Sequence, residues 1–147
     1  MRSVVVFLRD TSESAVTAYL DAAYPEQRAP WVVFVEGDAC LYINLYRHGP
    51  REHEPEDWAD IVQRFGGEPA ACVIIDVSGR HPGDEQMAGF VAGLLSRFSG
   101  AAMDDYTAHL WSLNELRGGH RVRGHPFFDY SGWFAEKSCQ GRARRCT

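Results

Sequence analysis

The sequence predicts a single α+β domain with a ferredoxin-like β-α-β-β-α-β core, followed by an added helix, a short strand and a short helix. Three observations predict it. The chain has 147 residues, a length that suits one domain. Its apolar residues switch between a period of two and a period near 3.6. Gly, Pro and capping residues fall between the periodic runs. The domain is expected over 1–137, with a mobile basic tail over 138–147. An alternative is a mixed sheet in which the fourth strand, the helix after it and the fifth strand form a right-handed parallel crossover. The two arrangements share their elements and differ in strand order.

Each element has a local reason. Ser3 to Leu8 (SVVVFL) is β-branched and apolar between charges, which predicts a buried strand. Asp10-Thr-Ser-Glu13 has the spacing of a capping box, and Ala15, Val16, Tyr19, Leu20 and Ala23 then share one helical face up to Pro25. Trp31 to Val35 and Leu41 to Tyr46 are strands joined by hairpin chemistry at Glu36-Gly37-Asp38. In the second of them Leu41, Ile43 and Leu45 alternate with Tyr42, Asn44 and Tyr46, so one face packs on the core. After a charged loop, Pro55 opens a helix carrying Trp58, Ile61, Val62 and Phe65, and Gly66-Gly67 stops it. Cys72 to Val77 is apolar enough for a central strand. Asp84 is the expected N-cap of a helix bearing Met87, Phe90, Val91, Leu94, Leu95 and Phe98. Ala101 to Tyr106 is a short strand, and Ser112-Leu-Asn-Glu115 a second capping box before Gly118-Gly119. The segment HPFFDYSGWF has five aromatics between Phe127 and Phe134. Gly124, Pro126 and Gly132 predict an irregular clasp over the sheet rather than a helix.

Totals exclude several function classes. Hydrophobic residues make up 45% and charged residues 24%, ordinary for a folded domain. No apolar run approaches the ~20 residues of a membrane-spanning helix. MRSVVVFLRD lacks the length and cleavage site of a signal peptide, so a cytoplasmic protein is expected. None of the four cysteines forms a CxxC pair; Cys40 and Cys72 are expected in the core, and Cys139 and Cys146 in the tail. The net charge is −5, and Arg142, Arg144 and Arg145 leave the body more acidic still. Such a body disfavours nucleic acid and anionic membranes and favours a basic partner, although net charge also serves solubility alone.

Motifs that carry chemistry are few. Ser78 to Asp84 connects a strand to a helix, where anions bind on free N–H groups, with Arg80 and His81 adding positive charge. It is neither a P-loop nor GxGxxG, and Asp84 would repel an anion. Asp104, Asp105 and His109 combine carboxylates with an imidazole, the groups of acid–base work. Adjacent Asp residues on a strand point to opposite faces, however, and a polar turn explains them equally. These five residues are the ligand-binding candidates. The six histidines lack HExxH spacing, and Arg121 and Arg123 repel a cation near His120 and His125, so no metal ligand and no cofactor is assigned. GxSxG is absent, and the reading leans away from an enzyme without a catalytic residue to name.

Three stretches, DVSGR, FSGAAMDDYTAHLWSLNEL and GHPFFDYSGWF, resemble small bacterial immunity-type proteins of polymorphic toxin systems between Val73 and Trp133. The resemblance implies a cytoplasmic, stand-alone domain that neutralises a toxin by binding it, and it transfers no catalytic residue. The expected function is therefore protein binding, with Asp129, Tyr130 and Trp133 as partner-binding candidates. The alternative is a small enzyme or ligand sensor at loop 78–84. Homodimerisation through Tyr42, Asn44 and Tyr46 is a third reading.

Overall fold

A computed structural model describes the backbone of residues 2–145 and side chains as far as residue 139. Five strands, β1 (Arg2–Leu8), β2 (Trp31–Val35), β3 (Asp38–Leu45), β4 (Ala71–Val77) and β5 (Gly100–Asp104), form one open sheet. The helices are α1 (Glu13–Ala23), α2 (Gly49–Glu52), α3 (Pro55–Phe65), α4 (Asp84–Arg97), α5 (Leu113–Arg117) and α6 (Tyr130–Arg145).

The strand order is β2-β3-β4-β1-β5, and every neighbouring pair is antiparallel. The α+β class holds, but the mixed sheet does not occur. A ferredoxin-like split of β1 and β2 is not seen either, since both β3 and β4 lie between them. The split unit falls one step later: β4 and β5 run the same way on either side of β1, with α4 as the connection.

Alternation along the strands makes two cores. On one face Val4, Val6, Leu8, Leu41, Ile43, Val73, Ile75 and Val77 pack under α1 and α4 with Val16, Leu20, Met87, Val91 and Leu94. On the other, Phe7, Tyr46, Cys72 and Ala101 pack under Ile61 and Phe65 of α3. Cys40 and Cys72 are buried as expected and Cys139 is exposed; Cys146 lies outside the described residues.

Local details differ from expectation in instructive ways. Ser12, not Asp10, caps α1 through the Ala15 N–H at 3.1 Å. Gly83 occupies the cap position of α4, and Asp84 sits inside the first turn. The charged loop after β3 contains a helical turn, α2, whose Glu52 accepts a hydrogen bond from the Tyr46 hydroxyl. The largest correction concerns HPFFDYSGWF. Only its first half is irregular; Tyr130 begins α6, and the helix continues through the basic segment to Arg145. Asp129 makes this start, accepting the Gly132 N–H at 3.1 Å on its side chain and the Trp133 N–H at 3.0 Å on its carbonyl. No helix among the described residues is long and apolar enough to cross a membrane.

Candidate functional site

The register brings three loops to one end of the sheet. β1 begins there, between the C-terminal ends of β4 and β5, so 78–83, 105–112 and 125–133 gather around Arg2 and Ser3. The Arg2 guanidinium donates to the carbonyls of His81 (2.6 Å), Ser78 (3.4 Å) and Pro82. Its flat face lies 3.9 Å from the Tyr130 ring centroid, a cation–π contact. Loop 78–84 therefore presents its carbonyls inward to a cation.

Arg80 and His81 both turn onto Asp38 of β3, at 2.9 Å each. The Asp38 carboxyl is held below the usual carboxylate range chiefly by the His81 hydrogen bond. The Asp84 side chain accepts the Ser131 N–H of α6 at 3.2 Å. Among the described residues no hydrogen bond or ion pair joins Arg80 or His81 to Asp104, Asp105 or His109, so the five candidates do not form one constellation.

Asp104 is only 6% exposed and is a structural tie. Its Oδ1 accepts the N–H groups of Tyr106 (3.1 Å) and Thr107 (3.2 Å), and its Oδ2 accepts that of Phe128 (2.9 Å). Asp105 points the other way and accepts the Ser3 N–H at 2.6 Å. Crowding by surrounding protein raises its carboxyl above the ordinary value, and nearby Asp104 adds to the rise. It lines an open cleft of about 520 Å³ with Asp57, Asp60, Arg64, Met103 and Arg123.

The partner-binding candidates serve the chain's own packing. Trp133 is sandwiched between His125 (centroids 3.8 Å apart) and Tyr106 (5.8 Å). Tyr130 covers Arg2, and Asp129 bonds His125 Nδ1 at 2.8 Å. His125 Nε2 reaches Glu136 at 2.6 Å, so two carboxylates flank one imidazole and raise its pKa, Asp129 most. The aromatic segment packs at the sheet end, with Phe127 and Phe128 buried.

What remains only partly covered is the sheet's second face. Register defines its rows. Val32, Tyr42, Asp76 and Ser3 lie side by side in one row, and Asn44, Ile74 and Val5 with Met103 in the next. Only the third row, Tyr46, Cys72, Phe7 and Ala101, is buried under α3. None of the first eight residues is buried, although β4 and β1 are the inner strands. Tyr42 is 37% exposed, and Phe34, on the same side of β2 as Val32, is 56% exposed.

One cluster went unseen in the sequence. His109, Glu115 and His120 place three donor atoms within 4.8 Å of one another. Glu115 Oε2 lies 3.0 Å from His109 Nε2 and 3.1 Å from His120 Nε2. Burial would raise the Glu115 carboxyl, but the Ser112 N–H and the two imidazoles outweigh it and hold the group below its ordinary value. The Ser112 box and the Gly118-Gly119 stop were visible signals of the turn; spacing rules based on HExxH do not cover it.

No protein-family model, curated protein or solved structure matches the chain.

Proposed function

We propose that this protein is a cytoplasmic protein-binding domain of the immunity type, and that its partly covered sheet face receives a basic protein. One observation carries the reading: two adjacent rows across the sheet, including the inner strands β4 and β1, are only partly covered and set apolar side chains around Asp76, with Val5, Ile74 and Met103 packed along one edge against the α3 core. Inner strands ordinarily have both faces covered or one face polar, so Val5, Ile74, Met103 and Tyr42 left in partial contact with water mark an interaction surface. Asp76 and Asp105 edge it, and α3 adds Asp57 and Asp60 beside it. Apolar anchors inside a charged rim are the anatomy of a protein interface; Arg64 pairs with Asp60 and Arg123 stands in the same cleft, so the carboxylates of Asp57, Asp76 and Asp105 are the groups that favour a cationic partner.

The test is capture from the native host at low salt, followed by mass spectrometry, with the unmutated chain and with Tyr42→Lys/Phe34→Lys. Both side chains are exposed, so the variant should fold as the parent does. One stoichiometric basic protein retained by the parent and lost by the variant supports the proposal. Equal capture by both chains, or no capture, counts against it. Self-association abolished by the same variant would assign the face to a second copy of this chain instead.

A further inference from the structure

Away from the open sheet face, the geometry points to a binding site for a divalent transition ion of the Zn²⁺ class, held by His109, Glu115 and His120. The three residues lie six and five positions apart, and the fold closes them by short-range constraints. Trp111, only 1% exposed, bridges to Ala102 of β5 with backbone hydrogen bonds of 2.9 and 2.7 Å, which fixes the chain beside His109. Ser112 then caps α5, and Glu115 reaches back to the Ser112 N–H with Oε1 at 3.0 Å. That bond orients the carboxylate and leaves Oε2 facing both imidazoles. At the other end of α5, Gly119 takes φ +67°, a conformation glycine adopts without strain, and the His120 N–H bonds the Glu115 carbonyl at 3.0 Å. The turn brings His120 back over the helix it has just left.

The donor geometry suits a metal. Bonds of about 2.0–2.1 Å at a tetrahedral angle put neighbouring donors roughly 3.3 Å apart. Both imidazole nitrogens already stand 3.0 to 3.1 Å from the carboxylate and within 4.8 Å of each other, so small side-chain movements bring all three donors to that spacing. The Trp111 ring makes T-shaped contacts with His109 (centroids 4.9 Å) and His120 (5.8 Å) and walls one side of the cluster. Arg121, whose charge would oppose a cation, is turned onto the Gly124 carbonyl at 3.0 Å. Two imidazoles and one carboxylate favour Zn²⁺, Co²⁺ or Ni²⁺ over Mg²⁺ and Ca²⁺, which prefer all-oxygen sites. Three protein donors, with His120 nearly half exposed, leave one position open to water, the ligand count of an open rather than a closed structural site.

The experiment uses tag-free, chelator-stripped full chain in a Cys139→Ser/Cys146→Ser background, so that these two thiols do not contribute. Zn²⁺ is titrated against a chromophoric chelator, and Co²⁺ by its visible d–d absorption. The expected result is one ion per chain, four-coordinate Co²⁺ bands, and no displacement by Mg²⁺. His120→Ala lies outside the capping box and is expected to weaken Zn²⁺ binding by at least about 10- to 100-fold with an unchanged circular dichroism spectrum, by comparison with supporting residues whose loss has that effect. In the unmutated chain, the imidazole NMR signals of His109 and His120 should shift on Zn²⁺ saturation while those of His48 and His53 stay. Absence of binding, full affinity in a folded His120→Ala chain, or shifts confined to other histidines would overturn the proposal.

Discussion

At the scale of single residues, the sheet end is organised by charges satisfied inside the protein. Asp104 ties β5, the turn after it and the aromatic segment through three N–H groups. Asp104→Ala leaves those donors without their acceptor, and hydrogen bonds to a charged group contribute about 1.5–3 kcal/mol each when broken singly. The three share one carboxylate, so the loss is not additive, and a destabilisation of about 3 kcal/mol is expected in urea unfolding. Asp104→Asn keeps one acceptor oxygen and should lose less. An unchanged midpoint for the alanine variant would remove Asp104 from this role. His125 works by the opposite charge. Its folded-state pKa is raised, chiefly by Asp129, above the unfolded value of about 6.5. Its contribution is therefore complete below pH 6.5 and declines as pH rises through the folded value. Unfolding at pH 6 and at pH 8.5 should show a larger fall in stability for the parent than for His125→Gln. Parallel falls would mean that the imidazolium contributes nothing.

At the scale of elements, β1 is an inner strand that holds β5 to the sheet, since it pairs with β4 on one side and β5 on the other. Gly100 lies where β5 meets it. A Cβ there would stand 2.1 Å from the Phe7 carbonyl oxygen and 3.0 Å from a Leu8 methyl, and backbone cannot yield as a flexible side chain can. Gly100→Ala is thus expected to lower stability by about 2–4 kcal/mol, in the range of severe core overpacking, and to raise hydrogen exchange along β5 first. Unaltered exchange at Ala101 to Met103 would show that the strands absorb the methyl. The elements themselves were legible because their causes are local. Periodicity located Trp31–Val35 without error and the other strands within a few residues, and the Ser112 box appears with both halves. The start of α6 was hidden because Gly132 and Pro126 look like breakers. What decides it is the Asp129 cap and the stacking of Trp133 on His125 and Tyr106, contacts with partners up to 27 positions away. Strand order was hidden for the same reason: β1 pairs with strands that begin only at Ala71 and Gly100, and nothing within seven residues encodes that choice. The composite site from Arg80 to His109 failed on this point too, because each group finds a nearer partner, Asp38 for one pair and Glu115 for His109. The His109, Glu115 and His120 cluster was half legible. The helix and its ends could be read, but the return of His120 rests on the sign of one glycine torsion.

At the scale of the whole molecule, two properties bear on partner choice: a net negative charge and a sheet face only partly covered by α3. The net charge of −5 makes encounter with a cationic protein faster at low ionic strength, since the Debye length is then longer than the gap between approaching surfaces. Charges at the rim of an interface act mainly on association, whereas apolar anchors within it act on dissociation. The Asp57→Asn/Asp105→Asn double variant separates these contributions. Asp57 is exposed on α3, and asparagine at 105 retains an acceptor for the Ser3 N–H, so the fold should persist. Against the partner captured by the parent chain, stopped-flow association at low salt should slow by about 3- to 10-fold, within the range over which steering changes encounter rates. Dissociation should stay within about twofold, because the Tyr42 and Phe34 contacts are intact. Near 1 M salt, where the Debye length is about 3 Å, the association rates of parent and variant should converge. A difference that persists at high salt would make the two carboxylates direct contacts rather than steering charges. Association independent of salt in both chains would leave the acidic rim without a role in selecting the partner, and the open face would have to choose by shape and apolar contact alone.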